Sequence, residues 1–347
     1  MHMADALLSP AVGATFWAGT LGTLGYCARR LKEEMDEKMM PLMGVLGAFI
    51  FAAQMINFTI PGTGSSGHLG GGMILAVILG PCAGFIVMAS VLTIQAFFFA
   101  DGGLLALGCN IWNLGIYPCF IAYPLIYKPL VRGGATPKRI TMAALLSGIV
   151  ALELGAFSVV VETVLSGRSE LPFGTFALLM QPIHLGIGII EGLVTAGVIN
   201  FIQSSRPEIL ESAASVRPLS GGTSVGRVFA GLLIATLLTG GALSWLSSSN
   251  PDGLEWSIEK VFGRPGLPEN ATGIAKALKS AQEKTAFLPD YDFKKTEKGE
   301  GAEAGRSWPA VQPGASVSGI VGSVMVLALV LLIGLIIRTV RRRSTLG

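Results

Sequence analysis

Long apolar runs separated by short polar clusters set the pattern of this chain. Runs of helix-forming apolar residues fall at about 9–29, 40–57, 69–100, 103–127, 139–164, 181–203, 227–247 and 317–338. An α-helix needs about 20 apolar residues to cross about 30 Å of hydrocarbon. The third run is too long for one crossing, about 48 Å at 1.5 Å per residue. It contains Gly80-Pro81, and an interior proline removes a helix hydrogen bond and clashes with the preceding turn. The run therefore reads as two shorter spans, 69–80 and 81–100.

The placement of charge supports that division. Lys and Arg in short loops mark the cytoplasmic side. Arg29-Arg30-Leu31-Lys32 to Lys38 forms one basic loop, and Lys128, Arg132, Lys138 and Arg139 form another. Both belong inside, so an even number of spans must separate them, and the divided run gives four. The N-terminus is then outside. Arg206, Arg217 and Arg227 lie inside, as do Arg338 and Arg341-Arg342-Arg343 at the other end.

Composition excludes whole classes of function. The chain of 347 residues is 51% hydrophobic and 14% charged, against about 25% charged in a soluble domain. No Asp, Glu, Lys or Arg occurs from Met39 to Ala100, nor from Gly102 to Tyr127. A soluble enzyme, a nucleic-acid binder and a disordered scaffold are all excluded. The expected fold is an all-α polytopic membrane protein in three parts: a seven-span module over 1–205, a cytoplasmic linker over 206–226, and a two-span hairpin module over 227–347 with an extracytoplasmic segment, 248–315. Within that segment 271–288 reads as an amphipathic helix and Glu297–Gly305 as flexible. Cys27, Cys82, Cys109 and Cys119 all lie in apolar stretches without a C-x-x-C, which suits buried thiols. No signal-peptide pattern precedes the first span, so the N-terminus is expected to be retained.

The candidate chemistry is concentrated in three histidines. Ionisable groups in membrane proteins are expensive and mark functional sites. His2 follows the initiating Met1; His68 lies in Pro61-Gly-Thr-Gly-Ser-Ser-Gly-His68; His184 opens the seventh span. A free Met1 amine and the His2 amide nitrogen close a five-membered chelate ring on a metal. That amide and the His2 imidazole close a six-membered one. With the His68 imidazole, four nitrogens lie in a plane, which suits Ni(II) or Cu(II) rather than tetrahedral zinc. Gln54 and Asn57, three apart, are candidates to orient His68 from outside the ligand set. His184 and Glu191, seven apart, share a helix face, and with Glu153 and Glu162 they form a sparse buried polar set.

Other readings stay open. Gly64-Ser65-Ser66-Gly67 fits the G-x-S-G of intramembrane serine proteases, with Ser66 as nucleophile and His184 as base. A self-sufficient permease and a metal sensor also fit a buried metal site. Gly62–Gly67 fits G-x-G-x-x-G, but its flanks read as membrane spans and no acidic residue occurs near 82–90, whereas the dinucleotide fingerprint requires a preceding strand and an acidic residue about 20 positions later. No G-x-x-x-x-G-K-[ST] and no H-E-x-x-H occurs. Gly44, Ala48 and Ala52 form a ridge of small residues on the second span that allows another helix to approach closely.

Two motifs carry a resemblance. Met1-His-Met-Ala-Asp-Ala-Leu-Leu-Ser-Pro10 and Asn57-Phe-Thr-Ile-Pro-Gly-Thr-Gly-Ser-Ser-Gly-His-Leu-Gly-Gly71 resemble the cobalt/nickel substrate-capture (M) subunits of energy-coupling factor transporters, a family of the ABC transporter class, over about 1–205. Asn250-Pro-Asp-Gly-Leu-Glu-Trp256 resembles the small N component of the same systems, here fused to M. The resemblance implies a metal held by the Met1 amine, the His2 amide and imidazole, and the His68 imidazole. It implies a membrane coupling (T) subunit and cytoplasmic ATPase (A) subunits as partners. It also implies that the N-like hairpin helps to load metal, and it places the chain in the cell membrane. Cobalt-type members usually read Pro-Gly-Gly-Thr-Ser-Gly-His at the loop. The longer loop here, and the fusion, point to Ni(II) over Co(II) as the transported ion.

Overall fold

The computed structural model describes residues 2–34, 39–168, 171–215, 226–263, 273–294 and 311–346. Met1, the segment Glu297–Gly305 and most of the linker's second half lie outside the described residues. A short 3-10 turn, Asp5–Leu7, leads into α1 (Pro10–Glu34) and α2 (Met40–Gln54). A two-stranded antiparallel ribbon follows: β1 (Phe58–Ile60) pairs with β2 (Ser65–Gly67) in the register Phe58↔Gly67, Thr59↔Ser66, Ile60↔Ser65. Then come α3 (Gly72–Leu79) and α4 (Pro81–Phe99). The next rod is continuous from α5 (Leu107–Ile111) through a π-helix (Trp112–Tyr127) to α6 (Lys128–Val131). Two long helices, α7 (Pro137–Ser166) and α8 (Phe173–Ser205), pack along one another. After α9 (Pro207–Ser215) the second module contributes α10 (Gly226–Gly241), α11 (Gly253–Phe262), α12 (Ile274–Thr285) and α13 (Pro313–Leu346).

Among the described residues, five helices are long and apolar enough to cross a membrane: Pro81–Phe99, Leu107–Val131, Pro137–Ser166, Phe173–Ser205 and Pro313–Arg342. Met40–Gln54 and Val228–Gly241 are shorter apolar helices. Leu125, Leu165, Leu178, Ile234 and Leu332 are exposed, the pattern of helices whose outer faces meet lipid rather than water.

The structure corrects several expectations from the sequence. The run 69–100 does divide at Gly80, whose φ of 82° and ψ of 164° break the helix before Pro81. Its first part, however, is no full span. α3 has eight residues, about 12 Å of helix, because Gly70 and Gly71 are engaged in non-helical hydrogen bonds. The fold is also not wholly helical, since 58–67 pairs as a ribbon. Backbone without helical bonds must find partners where water is excluded, and the strands supply them. The linker is helical over Pro207–Ser215. The amphipathic helix expected at 271–288 is observed as Ile274–Thr285.

The second module wraps the first. The small-residue ridge of α2 receives α13: a Cβ at Gly44 would lie 2.7 Å from Leu327 Cδ1, and one at Gly47 2.9 Å from Val326 Cγ1. Ser323 Oγ donates to the Ala48 carbonyl at 3.1 Å. The partner of that ridge is thus another helix of the same chain. Above α4, Gln282 Nε2 of α12 donates to the carbonyls of Ala96 (2.8 Å) and Gly102 (2.7 Å), and Thr285 Oγ1 donates to Phe97 (2.7 Å).

Candidate metal centre

The N-terminal segment is threaded into the protein rather than left in solvent. The Met3 N–H donates to Asn110 Oδ1 at 2.8 Å, and the Met3 carbonyl accepts from Gly103 N at 2.9 Å. Ala106 N–H donates to Asp5 Oδ1 at 3.0 Å. Met3, Leu7 and Leu8 are buried, so apolar burial and satisfied backbone groups hold the segment from both sides.

This threading carries His2 to His68. Their rings stack, with centroids 5.0 Å apart and planes 24° from parallel. His68 Nδ1 lies 2.9 Å from the Leu69 carbonyl. A carbonyl only accepts, so Nδ1 carries the proton and Nε2 the lone pair. His68 Nε2 is buried without a hydrogen-bond partner.

A relay of two glutamines fixes the tautomer of His2. Gln54 Nε2 donates to the Gly70 carbonyl at 2.8 Å, which turns its oxygen to Gln95. Gln95 Nε2 donates to that oxygen at 2.9 Å, which turns the Gln95 oxygen to His2 Nε2 at 3.2 Å. His2 Nε2 must then be the protonated nitrogen, and Nδ1 is left bare. Nδ1 is the nitrogen that closes a six-membered ring with the amide of its own residue. It faces Asp101 Oδ1 at 3.4 Å. Two acceptors facing one another are unfavourable unless a proton or a cation lies between them.

Burial pushes the imidazoles of His2 and His68 down to about 3 each. Both are neutral at any physiological pH, the form in which imidazole ligates metal. Among the described residues no three His, Cys, Asp or Glu side chains gather as a ligand group. The imidazole side chains thus bring two nitrogens together here.

The remaining candidates take different places. Glu191 accepts from Gly70 N (2.9 Å) and Gly71 N (3.0 and 3.1 Å). Its carboxylate thereby sits at the N-terminus of α3, where it satisfies orphan donors and opposes the helix dipole, and it pins the backbone two residues after His68. Gln54 acts on Gln95 and Gly70 and makes no bond to His68. Asn57 meets the second module through its backbone: its N–H donates to Ser247 Oγ at 2.9 Å, and its carbonyl accepts from Ser248 N at 2.7 Å. Ser66 Oγ donates to the carbonyls of Asn250 (2.7 Å) and Pro251 (3.3 Å), while His184 Nδ1 donates to the Met180 carbonyl at 2.8 Å. The Ser66–His184 hydrolase pair is therefore not formed. Glu162 bonds to Asn113 and Ser158 and locks helices together.

Four groups at the site are not singled out by the sequence pattern: Gln95, Asp101, Asn110 and Tyr291. The Tyr291 hydroxyl donates to Asp101 Oδ2 at 2.5 Å, and its ring stacks on Phe99 at 5.1 Å. Asp101 does carry a visible signal, as the lone charge between two charge-free runs. Asp252-Gly-Leu-Glu255 carries another, a capping-box spacing. Asp252 Oδ1 accepts from the N–H groups of Leu254 and Glu255 at 2.8 Å each, and Glu255 Oε2 accepts from Asp252 N at 3.4 Å. A cavity of about 540 Å³ lies against Tyr123, Tyr127, Lys128 and Arg132 and shares no lining residue with the small cavity at His68.

Residues 2–209 match the family described as the cobalt uptake substrate-specific transmembrane region, and residues 226–339 match the PDGLE domain. The chain belongs to this metal-uptake family. It is 33% identical over 331 residues, 95% of this chain and 96% of the relative, to the candidate fused nickel transport protein NikMN of Archaeoglobus fulgidus. It is 30% identical to the fused nickel transport protein NikMN of Rhodobacter capsulatus, covering 84% of this chain and 88% of that one. It is also 30% identical to the cobalt transport protein CbiM of Sorangium cellulosum, over 64% of this chain and 99% of that one. A solved crystal structure of a transition metal transporter superposes with a TM-score of 0.53 at 30% identity, covering 60% of this chain and 95% of that one. Membership in this family and the apolar helices make the chain a multi-pass membrane protein with the fold of a transition metal transporter.

The glutamine relay makes a specific prediction. Replacing Gln95 with leucine removes the acceptor that holds the proton on His2 Nε2, while keeping similar volume. Metal affinity should fall about 10–100-fold, the usual cost of losing a partner that orients a ligand. Isothermal titration of the purified variant with Ni(II) checks this.

Proposed function

We propose that this chain is the substrate-capture subunit of an energy-coupling factor transporter for nickel uptake, with cobalt as the alternative ion on the same architecture. Residues 1–205 form the capture module, in which α3 and its extended approach take the third of seven crossings. Residues 206–226 link it on the cytoplasmic side to the module 227–347. The N-terminus and the segment 248–315 face outside, and the C-terminus faces the cytoplasm. The single observation that carries this reading is the pair of unprotonated imidazole nitrogens, His68 Nε2 buried without a partner and His2 Nδ1 facing Asp101, brought together by stacked rings. With the Met1 amine and the His2 amide they make a planar four-nitrogen set, which suits Ni(II).

Capture requires the ion to shed water and to displace protons from the amine and the amide. The imidazoles are already neutral, so the pH dependence of binding follows the two main-chain nitrogens. Nickel is preferred over cobalt because the fused relatives are named for nickel, and because the loop to His68 is longer than the cobalt pattern. The chain has no phosphate-binding loop, so the driving ATP hydrolysis belongs to A subunits joined through a T subunit.

Uptake of radioactive nickel into cells carrying this chain with and without T and A subunits tests the coupling. Accumulation against a gradient should need all of them. Full uptake by this chain alone would instead identify a self-sufficient permease.

A further inference from the structure

Asp252 belongs to the second module, yet it reaches the first module's histidines. Among the described residues it is the sole acidic one lining the small cavity beside His68, which Gly67, Gly70, His184 and Gly253 also line. Three fastenings set it there. Ser66 N–H donates to the Pro251 carbonyl at 2.8 Å and Ser66 Oγ to the Asn250 carbonyl at 2.7 Å, so the incoming chain lies alongside β2. The capping bonds from Leu254 and Glu255 fix the Asp252 carboxylate at the start of α11. Gly253 permits the close approach: a Cβ there would sit 2.8 Å from Ile183 Cγ2 and 3.2 Å from His184 Cε1.

A cap does not require these surroundings. Most N-cap carboxylates are solvated, whereas this one is half-buried in a cavity that it shares with the imidazoles of His68 and His184. Asp101, the other carboxylate at the site, is also held by the second module, through Tyr291. A divalent ion bound to one deprotonated amide and three neutral nitrogens keeps a net positive charge. In a water-poor site that charge needs a fixed negative partner.

We propose that the Asp252 carboxylate is the counter-charge of the metal centre: it draws the divalent cation to the His2–His68 pair and offsets its charge once bound. The PDGLE segment is then an electrostatic part of the capture site as well as its cover. This inference rests on the four-nitrogen reading above, and the test separates the two.

The purified full chain, with Asp252→Asn, Asp252→Ser, Glu255→Gln and His68→Ala variants, is titrated with Ni(II) in competition with a chelator. Asn and Ser cap a helix about as well as Asp, so both keep the local fold while removing the charge. Both should bind Ni(II) about 10–100-fold more weakly. Their thermal midpoints should be unchanged, and the salt dependence of their association rate should be shallower than that of the wild type. Glu255→Gln should bind as the wild type does. Wild-type affinity in Asp252→Asn and Asp252→Ser, with binding still lost in His68→Ala, overturns this inference alone. A loss that tracks a lowered thermal midpoint, and is equal in Glu255→Gln, also overturns it, since it identifies a packing role. Absence of Ni(II) binding by the wild type overturns the four-nitrogen site and this inference together.

Discussion

Replacing His68 with alanine should abolish nickel uptake while leaving the protein inserted and folded. His68 contributes the nitrogen that is buried without a partner, and nothing else in its described surroundings substitutes for it. Losing a ligand outright should exceed the about 10–100-fold loss that follows from losing a group which merely orients one. The fold should tolerate the change. The ribbon is held by its own pairing and by the Asn250 and Pro251 carbonyls, and Glu191 grips Gly70 and Gly71 whatever stands at position 68. Uptake and membrane abundance measured in the same cells separate lost chemistry from lost protein. Uptake that persists at normal abundance would remove His68 from the site.

Acetylating the Met1 amine should have an effect of the same size. The acetyl group leaves every side chain in place but turns the amine into an amide, so it no longer offers a free amine to the five-membered ring proposed with the His2 amide. It also presses extra atoms against a segment that is already enclosed, with Met3 fully buried and held by Asn110 and Gly103. The comparison to make is the chain with a free terminal amine against the same chain acetylated there. Nickel affinity should be high only with the free amine. Equal affinities would show that the terminal amine is not a ligand.

Both predictions concern residues that the sequence itself distinguishes. His2 and His68 stand out because ionisable side chains are rare in such a chain, and the chelate ring follows from where His2 sits relative to the terminus. The break at Gly80-Pro81 is legible for a similarly local reason. Gln95, Asn110 and Tyr291 are not legible. The bonds from His2 to Gln95, from Met3 to Asn110 and from Tyr291 to Asp101 join residues 93, 107 and 190 positions apart, and no periodicity records such pairings. The apolar pattern overstates the length of α3 because it runs on from 69. The helix waits until Gly72 because the two preceding amides are bound to Glu191. The ribbon at 58–67 leaves no trace in the pattern, since strands of three residues, set among glycine and serine, show no alternation.

The role of the second module is where structure adds most. By sequence, residues 248–315 stand apart as a polar extracytoplasmic stretch. In the fold its parts close on the site from two directions: Asn250–Asp252 against β2 and Gln282–Tyr291 against the end of α4. The motif Pro251-Asp-Gly-Leu-Glu255 has a physical content: a capping box that starts α11 and a glycine that lets it lie against His184.

The most direct measurement is the absorption spectrum and magnetic state of the purified chain with one equivalent of Ni(II). The account predicts a 1:1 diamagnetic complex with a yellow square-planar band, absent in His68→Ala. A paramagnetic six-coordinate complex, or a square-planar band that survives in His68→Ala, would contradict it.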